Sequence, residues 1–348
     1  DLNTLAPDNR DLSMFPGEYG LPFLGKTVEF VKDTLAMCNK HYEKYGPVSR
    51  LDMVKNQRVL MCLGPEFNEA TLFDPKGNFS VAGGYASSLG GLYPDGMLTR
   101  DDAKHKRTRR ASQPAFKNDA LKTYVDMLIP IQERRIQDLP INEEFIFYDN
   151  IQKTLMDVAA RVFIGLDELS PEAKKLGHLF SEINEGLITP LPYDLPFLQF
   201  RKSLKAREEL RQFFIENIPK RRGSNGLDMF TRYCNAKDED GEYLDDIDID
   251  GHIAFLLFAA FDTTTSALTN ILYYLGKNPE WQDKVRNEIF SVTNEMPTFE
   301  DLAEMNLTEY VFQETLRFYP SVMVLNRRTT RDVNVAGYDI PANTVVMI

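Results

Sequence analysis

The sequence predicts a mainly α protein with a small β-sheet part. Three observations carry that prediction. From Asp101 to about Leu316, apolar residues recur at helical spacing with few interruptions. Short runs of strand character lie near both ends of the chain, at Val48 to Leu63 and Thr344 to Ile348. Hydrophobic residues make up 43% and aromatics 11% of the 348 residues, so a large core is available and compositional disorder is excluded. The reading is one domain, β-rich over about 16–70 and 320–348 and helical over about 100–318, with the two ends meeting in one sheet.

In chain order, Asp1 to Arg10 is polar and has neither the basic nor the apolar region of a signal peptide. Pro16 to Pro22 is turn-rich. Lys26 to Tyr45 places Val28, Phe30, Val31 and Leu35 at helical spacing until Gly46-Pro47 stops them. Val48 to Leu63 reads as two strands around a turn at Lys55-Asn56-Gln57. Gly83 to Gly96 reads as a long loop with an apolar lining, of the kind that contacts ligands. Leu187 to Leu198 is a Pro-rich apolar link between two charged helices. It reads equally as a core-packed loop, a mobile lid or a membrane-touching patch. Ala236 to Asp250 is an acidic connection that caps the next helix. After Pro320 the strand pattern returns at Val333 to Val335, Gly337 to Asp339 and Thr344 to Ile348.

The formal charge of −12 disfavours a general nucleic-acid partner, since phosphate neutralisation needs a basic surface. Cys38, Cys62 and Cys234 show no metal-ligand spacing and read as free thiols in a reducing, cytoplasmic setting. Ile253 to Leu275 is long enough to span a bilayer. Asp262 and Thr263-Thr-Thr265 at its centre argue instead for the core helix of a soluble protein without a transmembrane anchor, and peripheral membrane contact stays open.

Three motifs carry chemistry. Asp and Thr compete for backbone hydrogen bonds and so disfavour helix interiors. At the centre of an apolar helix, Asp262 and Thr263 form either a small polar groove or a proton-delivery pair. Glu314-Thr-Leu-Arg317 puts an acid and a base on one helical face, directly before Phe318-Tyr-Pro320 and Arg327-Arg328-Thr-Thr-Arg331-Asp332. His105-Lys-Arg-Thr-Arg109-Arg110 puts His105 and Arg109 one turn apart. That is either a solvated basic face or a clamp for carboxylates.

Set behind the early PGEYGLPFLG segment, these three motifs in this order resemble the cytochrome P450 family over nearly the whole chain. AAFDTT at Ala259 to Thr264 resembles the oxygen-activation motif, ETLR the Glu-x-x-Arg motif, and HKRTR the His-x-x-x-Arg that grips haem propionates. The resemblance implies the cytochrome P450 fold and haem as cofactor. Asp262 and Thr263 would deliver protons to iron-bound dioxygen. His105, Arg109 and Arg327 would bind the propionates. Glu314 and Arg317 would form a buried structural ion pair, costly to break. Leu92, Phe255, Phe258, Ala259, Met323, Val324 and Leu325 would face the substrate. The family's axial Cys loop lies beyond the Glu-x-x-Arg segment, so the iron-ligating Cys is expected past residue 348, in a chain cut before it. Ala260 stands where the family often has Gly, and would narrow the oxygen groove slightly. GLPFLG and TPLPYDLPF lean towards the sterol- and retinoid-handling clan.

The expected activity is hydroxylation of an apolar substrate (isoprenoid, sterol-like, retinoid-like or fatty) with dioxygen and two electrons from a ferredoxin or flavoprotein reductase. Arg107 and Arg110 are candidates for that docking surface, against a plain solvated face. The alternatives are a haem-dependent peroxygenase or hydroperoxide isomerase, against which Asp262 and Thr263 argue, and a non-enzymatic binder of apolar ligands.

Overall fold

The computed structural model describes residues 5–9, 11–54, 57–189 and 191–348. The polar start at 1–4 and 10, Lys55 and Asn56 of the expected turn, and Pro190 of the Pro-rich link lie outside the described residues. The elements in order are β1 (Gly17–Glu18), α1 (Thr27–Lys32), α2 (Thr34–Tyr45), β2 (Val48–Asp52), β3 (Arg58–Cys62), α3 (Pro65–Phe73), β4 (Phe79–Ser80), α4 (Val81–Tyr85), α5 (Asp102–Ser112), α6 (Asn118–Gln137), α7 (Phe147–Val158), α8 (Pro171–Leu187), α9 (Gln199–Arg221), α10 (Met229–Cys234), α11 (Asp246–Lys277), α12 (Pro279–Val292), α13 (Asn306–Phe318), β5 (Asn326–Thr329), β6 (Val333–Val335), β7 (Tyr338–Ile340) and β8 (Val345–Met347). The chain divides into two compact units. One is Asp1–Lys106, Glu182–Arg207 and Met323–Ile348; the other is Arg107–Ser181 and Glu208–Val322.

In the first unit the two ends of the chain share a six-stranded sheet in the order β1-β2-β3-β8-β5-β4, as the strand pattern predicts. β2 and β3 pair antiparallel from Val48 opposite Cys62 to Asp52 opposite Arg58. β3 then runs parallel to β8, with Val59 opposite Val345. The continuous apolar run Val59-Leu-Met-Cys62 follows from burial on both faces. With side chains alternating, Leu60 and Cys62 join Leu12, Phe15, Phe67 and Val346 on one face. Val59 and Met61 join Met37, Leu51, Val345 and Met347 on the other. β6 and β7 form a separate hairpin whose turn, Ala336-Gly337, has φ of 49° and 85°. Such left-handed turns match the strand twist and favour glycine.

Two expectations for this unit need correction. Lys26 to Tyr45 is two helices, broken at Asp33, whose side chain caps α2 by accepting from the Ala36 amide at 2.9 Å. The aspartate offers the backbone a better bond than another helical turn. Val28, Val31 and Leu35 are exposed, and Phe30 alone of that set packs on the core. The link between α8 and α9 is also no core-packed loop: Ile188, Leu191, Tyr193 and Leu195 are exposed, and Phe197 is 98% exposed with φ of 71°.

The second unit is helical. Its core includes Phe214 of α9 and Phe230 of α10, which meet edge-on at 5.1 Å. A π-helical turn at Ala159–Ile164 extends α7 and ends at Gly165, φ 74°. Asp157 on α7 is bound by Arg134 and Arg135 of α6 at 2.8 and 2.7 Å, which anchors α6 to α7. α11 starts at Asp246, seven residues before the apolar run. Asp245 caps it by accepting from the Asp248 amide at 2.6 Å, as the acidic loop predicts. Its N-terminal half is buried, Ile249, Ile253 and Ala254 completely, while Leu272 and Tyr273 near its end are exposed. By length and hydropathy α11 could cross a membrane.

Candidate active site

α11 places three hydroxyls against its own carbonyls. Thr263 donates to the Ala259 carbonyl at 2.7 Å, Thr265 to Phe261 at 2.9 Å and Thr269 to Thr265 at 2.8 Å. Each hydroxyl reaches back one turn because an apolar setting offers it nothing better. The helix remains continuous through these bonds and does not open into a groove. Ser321 adds a donor that sequence reasoning missed: its hydroxyl bonds the Thr263 carbonyl at 2.9 Å, tying the segment after α13 to the middle of α11. A small polar residue in an apolar stretch was the only signal for it.

Asp262 is exposed to solvent. The helices around it nevertheless strip enough water from the carboxyl to push its pKa up, and it adds to the upward shift of Tyr148 on α7. Among the described residues no cation pairs with it. Phe255 and Phe258, one turn before, stack at 5.8 Å between centroids, with Phe255 buried and Phe258 and Ala259 half-buried.

α5 carries the basic motif. Arg107 binds Asp238 at 2.7 Å and Arg110 binds Glu239, so the acidic loop before α11 occupies both. Arg107 meets a buried carboxylate, whereas Arg110 and Glu239 form an exposed surface pair. His105 is half-buried and stands one turn before Arg109, which is exposed and has no ionic partner among the described residues. Of three neighbouring arginines, the one that the resemblance assigns to a propionate is the one whose charge is unused. Arg327, half-buried on β5, donates to the Asn326 carbonyl at 2.9 Å.

The Glu314–Arg317 pair forms, bidentate at 2.7 and 2.8 Å. Its expected burial is corrected, because the two side chains are 56% and 63% exposed. The only buried residue of α13 is Thr315, and Arg317 lies over the Phe318 ring at 4.1 Å instead of in a core. Water screens such a pair, so it contributes little to stability.

The remaining expected substrate contacts divide. Leu92 is fully enclosed. Val324 packs on the sheet core beside Met347, and Leu325 exchanges backbone bonds with Ile348 at 2.9 and 3.0 Å. Met323 is 56% exposed. All three cysteines are buried free thiols, and burial pushes Cys62 and Cys234 up to about 12. None is poised as a thiolate.

The cytochrome P450 family model matches residues 15–348. A putative cytochrome P450 136 of Mycobacterium tuberculosis is 29% identical over 99% of this chain and 72% of its own length. The taxane 13-alpha-hydroxylase of Taxus cuspidata is 27% identical over 94% of this chain and 70% of its own. The retinoic-acid-bound cyanobacterial CYP120A1 superposes with a TM-score of 0.86 at 27% identity, covering 95% of this chain and 76% of that one. With the sheet and the central helix, these matches establish that the chain belongs to the cytochrome P450 family, the haem-dependent monooxygenases.

Proposed function

We propose that this protein hydroxylates an apolar, isoprenoid-like substrate, with Asp262 and Thr263 as its proton-delivery pair. One observation carries the reading. A carboxyl whose pKa is raised by desolvation sits beside a threonine hydroxyl, one turn after the aromatic pair Phe255 and Phe258. Relatives named for taxane and beta-amyrin oxidation, and the retinoic acid bound in CYP120A1, support the substrate class.

Haem, when bound, supplies the activation of dioxygen. The residues of this chain supply the rest. His105, Arg109 and Arg327 hold the propionates by charge-assisted hydrogen bonds. Phe255, Phe258 and Ala259 offer an apolar wall in one unit, and Leu92, Met323, Val324 and Leu325 are the substrate contacts that the resemblance assigns to the other. Asp262 takes a proton from solvent, and the raised pKa makes it a better proton holder near neutral pH. The Thr263 hydroxyl already donates to Ala259, so it relays by rotating away from that carbonyl, while Ser321 keeps the Thr263 backbone in place. Electrons come from a ferredoxin or flavoprotein reductase. The chain acts in the cytoplasm as a soluble protein, with the exposed link between α8 and α9 as a peripheral membrane contact.

The test compares turnover of a diterpenoid or retinoid panel with NADPH plus reductase against turnover with hydrogen peroxide, together with the reduced carbon-monoxide spectrum. Product from the reductase route, with a red-shifted Soret band, is expected. Turnover with peroxide alone would replace this reading by the peroxygenase one. Ligand binding without haem uptake would replace it by an apolar-ligand carrier.

A further inference from the structure

Within the first unit, the loop that follows α4 is tied to α8 by a part-buried polar bond and to α9 by a buried one. The Tyr93 phenol, 1% exposed, donates to Asn184 Oδ1 on α8 at 3.1 Å. Arg207 of α9, 7% exposed, donates through Nε to the Leu92 carbonyl at 3.1 Å. Under these two bonds α8 and α9 meet closely. Ser203 donates to the Glu182 carbonyl at 2.5 Å, and a Cβ on Gly186 would fall 2.5 Å from the Ser203 hydroxyl and 3.1 Å from Leu92 Cδ1. Only glycine fits at 186. Thr99 closes the far end of the loop by donating to the Tyr93 and Pro94 carbonyls, both at 2.9 Å.

A loop rich in glycine and serine has little conformational preference of its own, so its position depends on such ties. The Arg207 tie is buried and the Tyr93–Asn184 tie is part-buried, and to that extent a lost partner leaves its mate unsatisfied. Their groups are also not those that the reaction uses.

We propose that Tyr93, Asn184 and Arg207 are positioning residues that restrain the Ala86–Gly96 loop against opening, and so limit the rate of substrate entry without touching the chemistry. The inference rests on reading this loop as one that the apolar substrate passes.

Two measurements on the haem-loaded, full-length protein test it. The first is amide hydrogen exchange over Leu89 to Thr99 in the wild type, Tyr93→Phe, Asn184→Ala and the double variant. The phenylalanine keeps the ring and its packing. Each single change is expected to reduce protection about five- to ten-fold, the size of one hydrogen bond. The double variant should lose no more than either single, because both remove the same bond. Unchanged protection, or losses that add, overturns the proposal. The second is stopped-flow binding of 4-phenylimidazole, an apolar ring carrying an iron-binding nitrogen. Association and dissociation rates should rise together, with Kd nearly unchanged. A changed Kd at constant association rate overturns the proposal. Failure of the wild type to bind the azole counts against the monooxygenase reading instead, and the exchange data then decide the clasp by themselves.

Discussion

Two carboxylate–cation clusters in this protein have similar contact geometry and opposite surroundings. Glu314 and Arg317 meet at 2.7 and 2.8 Å with both side chains more than half exposed. Lys26 binds Glu18, and Glu29 at 2.7 Å, from a side chain only 9% exposed. The difference shows in titration. Lys26 and Lys44 hold the Glu18 carboxyl far below the usual carboxylate range. Burial alone would lower Lys26, but its hydrogen bonds to Glu18 and Glu29 outweigh that and raise it. The Glu-x-x-Arg motif stands out in the sequence, yet the inconspicuous Lys26 makes the more enclosed contact. Distance makes a pair, and exclusion of water decides what the pair contributes.

Asp262 stands apart from both, an exposed carboxyl that partial burial still raises and that has no cation among the described residues, and it gives the largest expected effect. Asp262→Asn should cut product formation on the order of 100-fold, as loss of a positioned proton carrier does. Its stability should not fall. A raised carboxyl pKa means that the folded state prefers the neutral form, so ionisation above that pKa weighs against folding, and asparagine removes the charge. Product per electron consumed and the urea midpoint measure the two. A loss below three-fold would remove Asp262 from the mechanism.

Lys26→Ala comes next, leaving Glu18 only the exposed Lys44 and Glu29 only the exposed Lys40. It should cost about 2–3 kcal/mol in urea unfolding at pH 7, the range for hydrogen bonds to charged groups. The same cluster sets a pH profile. Glu18 and Glu29 are lowered from 4.5, so their contribution is complete above that pH and is lost as pH falls through their lower folded values. Lys26 is raised from 10.5, so its contribution is complete below that pH and is lost as pH rises through the higher folded value. Lys26→Ala should therefore flatten the acid limb of stability against pH. An unchanged acid limb would show that this cluster does not carry it.

Between the extremes lies Ser321, whose single bond to the Thr263 carbonyl is half-buried. Ser321→Ala should cost about 1 kcal/mol, and Ser321→Thr should recover it. If alanine leaves the urea midpoint where it was, the tie between α11 and the segment after α13 is not holding. Glu314→Gln should have the smallest effect, with no measurable change in the midpoint, because water already solvates both partners. A clear loss there would mean that the pair is enclosed in the working protein and would dissolve the contrast drawn above.

Local pattern was enough to see several elements. The strands at 48–63 and 333–347, the acidic cap of α11 and the helix carrying His105 and Arg109 are where periodicity and turn residues put them. The break at Asp33 was legible only in part, since an aspartate among apolar residues at helical spacing reads equally as a surface position and as a cap. The exposure of Ile188 and Phe197 was not legible at all, because apolar residues look the same in a sequence whether or not something covers them.

The sequence by itself determined the family, the order of elements and the residue types available for chemistry, because these rest on short-range spacing and on motifs in a particular order. Only the tertiary structure decided which charges are used up. It paired Arg107 and Arg110 with Asp238 and Glu239, more than 120 positions away along the chain, and left Arg109 without an ionic partner among the described residues. It put Lys26 out of water and Arg317 in it. The strength of a charge depends on its neighbours and on the water around it, and both are set by segments that meet only when the chain has folded.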